Sequence, residues 1–418
     1  MLRWFHFLAV ALWAVPGFTA PAEAVSAEAP VSESPAALDA ARLAATLATL
    51  TPEQWAALPP ELRDELQALW GPAWVWGATI HVGAEWRDNV LLSPVSSTDH
   101  TLLRARLESY LWRRPVGAWE WLGFLNGDVG RLLDPLPELA GEQEWFAHGE
   151  GRWTPRPGWR IGLTAQSYYQ DHVFDLSATE TERLVARMRV RGARAGMDLT
   201  VPLPRSLAWV AGAKAHRSDY ADFAEDFTEE EGHTTLRWRS DRGEGGSLEA
   251  NLGWSERRRT HPDRNAYTAG GRPLPGTQLE FRINEVRLET TLIRGVWTGS
   301  LAIVGLSNRD LASGYFNYAE QGVQLTLERA TPDWRVAVEA GGSRSRYDVQ
   351  TVGIGFAPPL RRRDHRELLL RAERVLNPRW TLFAEASEER SRENEAGGTY
   401  RARRLAFGVS RTWEPSAP

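Results

Sequence analysis

Trp76-Gly77-Ala78-Thr79-Ile80-His81-Val82-Gly83-Ala84-Glu85-Trp86 is the stretch that decides the fold. Its alternate residues Trp76, Ala78, Ile80, Val82, Ala84 and Trp86 form one apolar row. Gly77, Thr79, His81, Gly83 and Glu85 form the other, smaller and more polar. A period of two belongs to a strand whose two faces meet different surroundings. An aromatic at each end with aliphatics between suits a lipid-facing wall, with rings at the headgroups and aliphatics in the hydrocarbon.

Working outward, the pattern recurs. Trp159, Ile161, Leu163 and Ala165 alternate with Arg160, Gly162, Thr164 and Gln166. Leu248, Ala250, Leu252 and Trp254 alternate with Glu249, Asn251, Gly253 and Ser255. Comparable rows begin at Trp334 and Trp380. The second rows carry charges and glycines, which a dry sandwich core would reject and a hydrated lumen accepts. One segment breaks phase: Leu279, Phe281 and Ile283 are followed by Val286, Leu288 and Leu292. A β-bulge near Asn284-Glu285 is the expected repair.

The connections alternate in length. Short links fall at Arg114-Pro115, Pro155-Arg156-Pro157, Pro204-Arg205, residues 242–246, Arg294-Gly295, Thr331-Pro332-Asp333 and Asn377-Pro378. Longer polar stretches lie between them, at residues 88–99, 126–143, 171–182, 216–232, 257–278, 307–321, 343–364 and 388–399. Short inner turns and long outer loops are the rule of outer-membrane barrels. The expected fold is therefore all-β and transmembrane: an antiparallel up-and-down barrel over residues 74–413, of sixteen or fourteen strands, with residues 414–418 as a tail.

Residues 1–24 read as a secretory signal. Arg3 is followed by an apolar run and by Ala22-Glu23-Ala24, an A-x-A cleavage site. Residues 25–73 read as a flexible lead-in followed by short helices on the periplasmic side. Thr51-Pro52-Glu53-Gln54 there combines an N-cap, a first-turn proline and a capping-box glutamine. The absence of cysteine removes disulfides, thiolate nucleophiles and cysteine zinc sites. A net charge of −5 argues against nucleic acid as a partner. The 20 tryptophans suit the two interfaces of a membrane barrel, so outer-membrane lipid is the expected partner.

No catalytic or metal constellation stands out, and no cofactor is implied. His81 faces the lumen with no serine placed beside it by spacing, and the other histidines lack metal-site spacing. The candidate site is the lumen. Arg104, Arg106, Arg237, Arg239, Arg282, Arg287 and Arg335 are expected to line it with Glu85, Glu108, Glu249, Glu289 and Glu339. Such charges on facing walls would act on polar solutes through a transverse field, or would close the lumen by salt bridges. The acidic run at residues 219–231, with Tyr220 and Phe223, is an outer-loop contact candidate or a solvated loop. Tyr315, Phe316 and Tyr318 form a carbohydrate-stacking candidate or pack into the mouth. Arg257-Arg258-Arg259 and Arg361-Arg362-Arg363 are candidates for lipid phosphates or solvated loop charges.

The last segment resembles the β-signal read by the barrel assembly machinery, a further expected partner. Trp413 is the terminal aromatic and Gly408 the glycine five residues earlier; Arg411 stands where a second aromatic is usual. The first hairpin, Ala84-Glu85-Trp86-Arg87-Asp88-Asn89-Val90-Leu91-Leu92-Ser93-Pro94, resembles the opening of a family of outer-membrane β-barrel porins often linked to exopolysaccharide systems. Arg87 replaces the family's first aspartate. A similar Asp-Asn turn occurs in surface-lipoprotein assembly modifiers, whose helical repeats have no counterpart in residues 38–70. The porin resemblance implies a passive conduit for polar solutes or polysaccharide and supplies no catalytic residues. A structural or adhesive surface barrel and a barrel hydrolase are the rival readings.

Overall fold

The structure is a computed structural model that describes residues 74–414, apart from residues 96, 117, 137–138, 176–184, 223–224, 242–245, 354–355 and 396–397. The signal, lead-in and helices assigned to residues 1–73, residues 415–418 of the tail, and Phe223 lie outside the described residues.

The first eight strands are β1 (Trp74–Arg87), β2 (His100–Val116), β3 (Trp119–Leu132), β4 (Gly141–Arg156), β5 (Trp159–Asp175), β6 (Val185–Leu203), β7 (Leu207–Tyr220) and β8 (Phe227–Asp241). The second eight are β9 (Gly246–His261), β10 (Leu279–Arg294), β11 (Trp297–Asp310), β12 (Tyr318–Ala330), β13 (Trp334–Thr351), β14 (Leu360–Asn377), β15 (Trp380–Glu393) and β16 (Tyr400–Trp413). Each pairs antiparallel with its sequence neighbours, and β16 pairs with β1, so the sheet is a closed up-and-down barrel of sixteen strands. Both ends of the barrel sequence lie at the short-turn end. Gly158 (φ +77) and Gly295 (φ +58) take the left-handed backbone that two of these tight turns require.

Alternation sets the walls. Directly opposed residues share a face, so the register carries the inward row of β1 (His81, Gly83, Glu85) onto Arg106, Arg104 and Leu102 of β2. The opposite face presents exposed aliphatics such as Ile80, Val82, Leu163, Leu252 and Leu405. Around the short-turn end it presents exposed Trp74, Trp76, Trp119, Trp121, Trp297, Trp334 and Trp380. Outward arginines lie over several of these rings: Arg374 over Trp334 at 5.5 Å, and Arg411 over Trp380 at 5.3 Å and Trp413 at 4.8 Å. Toward the long-loop end outward tryptophan is sparser, with Trp86, Trp145 and Trp254. Outward tryptophan thus stands toward both ends of the wall, as expected of two interfaces, but is concentrated beside the short turns.

Two further expectations change. The polar stretches are not all loop: the β3–β4 connection occupies residues 133–140 and the β7–β8 connection residues 221–226. The strands stand beyond the apolar band, where the outward face is polar, the inward face is packed, and hydropathy no longer alternates as it does in the band. Cross-strand ion pairs accompany the ladder there. The acidic run of β8 lies against the arginine run of β9, with Glu229 opposite Arg259, Glu230 opposite Arg258 and Glu231 opposite Arg257. β10 has no bulge, since its register with β9 and β11 is continuous. Leu279 and Ile283 point inward and are buried, whereas Val286 and Leu288 point outward and are exposed. The phase break marks where the apolar residues change faces, because the inside is packed near the outer mouth.

Candidate functional site

The lumen divides into a crowded outer part and a more accessible inner part. On the β1–β4 wall, Glu85 is 2 % exposed and accepts hydrogen bonds from Arg87 Nε at 2.5 Å and Arg104 Nη1 at 2.8 Å. Arg87 Nη2 reaches past two strands to Glu142 Oε1 at 2.6 Å, and Arg104 Nε donates to Asp128 at 2.6 Å. Arg106 also donates to Asp128, at 3.1 Å, and Arg404 of β16 pairs with Glu385 of β15. This is a cross-linked sheet of charge in which each buried ion has opposite neighbours, the condition for burying it at all.

Apolar residues cover that network from the outer side. Val90 and Leu91 from the β1–β2 loop pack with Leu102, Leu132, Leu139 and Val173. Asn89 ties the loop down, its Nδ2 donating to the carbonyls of Ser93 and Arg401 and its Oδ1 accepting from the Ser93 amide. Asp88 Oδ1 accepts from the Arg403 amide at 2.6 Å. The Asp88-Asn89 turn thus clips the first hairpin to the last strand.

A second cluster fills the mouth beside β8–β11. Tyr267 stacks on Tyr315 at 5.8 Å, Phe316 meets Phe281 edge-on at 5.9 Å, and Arg264 Nη1 donates to Glu225 at 2.7 Å. Phe316 is buried, and Tyr318 faces inward from β12 against Tyr347 at 5.4 Å. Of the two readings for these rings, sugar stacking or packing into the mouth, these contacts favour packing. Tyr220 faces inward at the end of β7, its amide donating to Asp226 Oδ1 at 2.6 Å. A third cluster on β13–β16 joins Arg361 to Glu393 and to Gln350, and Tyr400 to Glu389.

Nearer the short turns the inward charges are more exposed and pair along the wall. Arg335 is 56 % exposed and donates to Glu328 on the next strand at 2.7 Å. Arg287 pairs with Glu289 at 3.1 Å, Arg237 with Glu249 at 3.5 Å, and Arg239 with Asp241 at 3.3 Å. Glu108 stands 3.5 Å from His81. Glu339 has no ion pair among the described residues. The charges are mixed locally and not segregated onto facing walls, because strand neighbours are closer than the far wall. A simple transverse field is accordingly not what the arrangement provides.

Arg282 is a correction. The register sets it opposite Arg258 and Arg309 on the outward face, 3.5 Å from Glu256. It belongs to the outer wall, because no bulge shifts its phase. Arg257 and Arg259 face inward to Glu285 and Glu229, leaving Arg258 outward; Arg361 and Arg363 likewise face inward and Arg362 outward. Neither arginine triplet is a single surface feature.

Two serine–histidine contacts escaped the spacing argument, since each needs tertiary pairing or a run of two along one strand. His81 Nδ1 lies 2.6 Å from Ser410 Oγ across the β1–β16 closure. His216 Nε2 lies 3.2 Å from Ser218 Oγ and 3.0 Å from Tyr168 Oη. Both serines are buried, Ser218 completely, and His216 Nδ1 has no orienting hydrogen bond. His81 has Glu108 3.5 Å from its Nε2, but Ser410 is only 4 % exposed, so both contacts satisfy buried polar groups and lack the access that nucleophilic catalysis uses. Among the described residues no group of acidic and histidine side chains is arranged to hold a metal ion.

The closing strand places Gly408 directly opposite Gly83, both inward, while Trp413 faces outward opposite Ala78. A Cβ on Gly408 would stand 2.2 Å from the Val82 carbonyl oxygen, and one on Gly83 would stand 2.3 Å from that of Phe407. The two backbones therefore approach too closely for any side chain at either position.

No protein-family model matches the chain, and no curated protein matches it in sequence. Among solved structures it is similar to Acinetobacter baumannii OccAB2, at 7 % identity and TM-score 0.44, covering 82 % of this chain and 98 % of that one. It is similar to the outer membrane protein OprD of Pseudomonas aeruginosa, at 9 % identity and TM-score 0.43, covering 82 % and 94 %. A third is Pseudomonas aeruginosa OccK2 in complex with glucuronate, at 11 % identity and TM-score 0.40, covering 82 % and 98 %.

Proposed function

We propose that this chain is a porin-like barrel of a bacterial outer membrane that passes small polar solutes. The observation that carries the reading is the inversion of its surfaces. The outward face is an exposed aliphatic band edged by tryptophan, and the inward face is lined by hydrated Arg and Glu. A solute enters past a mouth narrowed by the β1–β2 and β9–β10 loops and then meets a charged, more open inner lumen. Short turns face the periplasm and long loops the exterior.

Small solutes fit this geometry better than a polysaccharide. The mouth aromatics Tyr267, Tyr315 and Phe316 are spent on one another and offer no continuous stacking path for sugar rings. Planar-bilayer recording with the purified full chain tests the reading. Discrete ion-conducting steps are expected; insertion without conductance would overturn the conduit. Swelling of proteoliposomes in small sugars and amino acids, but not in oligosaccharides, is the expected size dependence.

A further inference from the structure

Above the aliphatic band, the outward face of β13–β16 carries arginines in rows that cross the strands. Arg366, Arg390 and Arg401 are directly opposed on β14, β15 and β16. Arg346 stands directly opposite Arg362. Between these rows Arg344, Asp364 and Arg392 form another. Like charges in directly opposed positions repel one another and weaken a sheet.

The carboxylates present do not neutralise them. Asp364 is shared by Arg344 at 2.5 Å and Arg362 at 3.6 Å; Glu388 is shared by Arg401 at 2.6 Å and Arg403 at 3.6 Å. Arg346, Arg366, Arg390 and Arg392 are exposed and have no ion pair among the described residues. Elsewhere on the same rim most outward arginines are matched: Arg187 with Asp171, Arg217 with Asp219, Arg258 with Glu280, Arg282 with Glu256 and Arg309 with Asp348, while Arg131 and Arg191 stand singly and not opposite another arginine. An excess of positive charge on one sector is notable in a chain of net charge −5. Directly below it lie exposed Leu368, Leu370, Leu405 and Phe407, the aliphatic band itself.

We propose that this sector is a binding site for the phosphorylated headgroup of an outer-leaflet glycolipid. The inference rests on the membrane orientation proposed above, which sets the rim at the level of those headgroups. Guanidinium forks match phosphate oxygens in pairs, and a phosphate between Arg366, Arg390 and Arg401 removes the repulsion that the row otherwise carries. The acyl chains of the same lipid would lie on the leucines below. Specificity resides in the cross-strand row, which no sequence triplet describes.

The test measures binding of bisphosphorylated and of dephosphorylated lipid A to the detergent-solubilised full chain by native mass spectrometry. The phosphorylated lipid is expected to bind tighter. The triple variant Arg366→Gln, Arg390→Gln, Arg401→Gln is expected to weaken it about tenfold or more. Arg258→Gln with Arg282→Gln, in the matched sector, is expected to leave it nearly unchanged. Heat-modifiable migration checks that each barrel is folded, and Arg390→Gln alone gives a smaller loss if the triple variant does not fold. Equal binding of the two lipids by the unsubstituted chain, or undiminished binding by a folded triple or single variant, would overturn the proposal. A chain that inserts into bilayers and ignores phosphate removes this site alone. A chain that does not insert removes the membrane reading with it.

Discussion

Glu85 shows what a single inward residue does here. It is almost wholly buried, with Arg87, Arg104 and Arg404 around it. Replacing it by glutamine removes the charge that compensates the guanidiniums, and breaking a buried pair in this way costs about 3 kcal/mol. Urea unfolding of the refolded barrel in vesicles should register that loss for Glu85→Gln. The same substitution at half-buried Glu328, whose partner Arg335 is exposed, should shift the midpoint less. Equal shifts would mean that the outer network is hydrated after all.

Glu225 offers a pH test at the same scale. It lies in the β7–β8 loop, and burial pushes its carboxyl above the usual range even though Arg264 donates to it at 2.7 Å. A carboxyl whose value is raised on ordering stays protonated there after the disordered loop has ionised. Its share of the loop's stability is fully present below the ordinary carboxylate value and is lost as pH rises through the raised one. Amide exchange in the β9–β10 loop, which carries Arg264, should therefore quicken beyond its intrinsic dependence as pH rises above the ordinary carboxylate range, and the added dependence should vanish in Glu225→Gln.

At the scale of the element, the closure between β1 and β16 is the sensitive one. Gly83 and Gly408 face each other where a Cβ would meet backbone. Gly408→Ala should leave most of the chain unable to close, seen as loss of the heat-modifiable folded band. Gly149, around which a Cβ meets nothing within 4 Å, is the control: Gly149→Ala should fold normally. Asn89→Ala removes the clip between the first loop and β16. About 1–2 kcal/mol of local stability is expected to go with it, read as faster exchange at residues 88–95 with the barrel intact. The hairpin resemblance picked out Asp88-Asn89, and the closing-strand resemblance picked out Gly408. Their physical roles became visible only once the two ends of the sheet met.

For the whole molecule, the asymmetry along the axis is the main property. Side chains of the outer mouth are packed on the β1–β2 and β9–β10 loops, whereas those near the short turns are hydrated. Shortening residues 265–275 should raise single-channel conductance, by about twofold if the mouth limits the current. Arg335→Ala, in the open inner part, should change it little. If the two changes had equal effects, resistance would be spread evenly along the lumen.

The sequence by itself determined the barrel, its sixteen strands as the larger of two counts, and the end at which the first strand begins and the last one finishes. It could do so because lipid imposes a period of two on one face, and short turns carry Pro and Gly at regular intervals. The inward direction of Arg104, Arg106, Arg237, Arg239, Arg287 and Arg335 follows from the same period. Only the tertiary structure decided what those charges do, since whether Arg and Glu face each other across a lumen or pair along its wall depends on register. It also decided that Arg282 faces outward, that β10 is continuous, and that Tyr315 and Phe316 are packing. Each of these depends on which side of the wall is filled near the mouth, and loops distant in sequence do the filling.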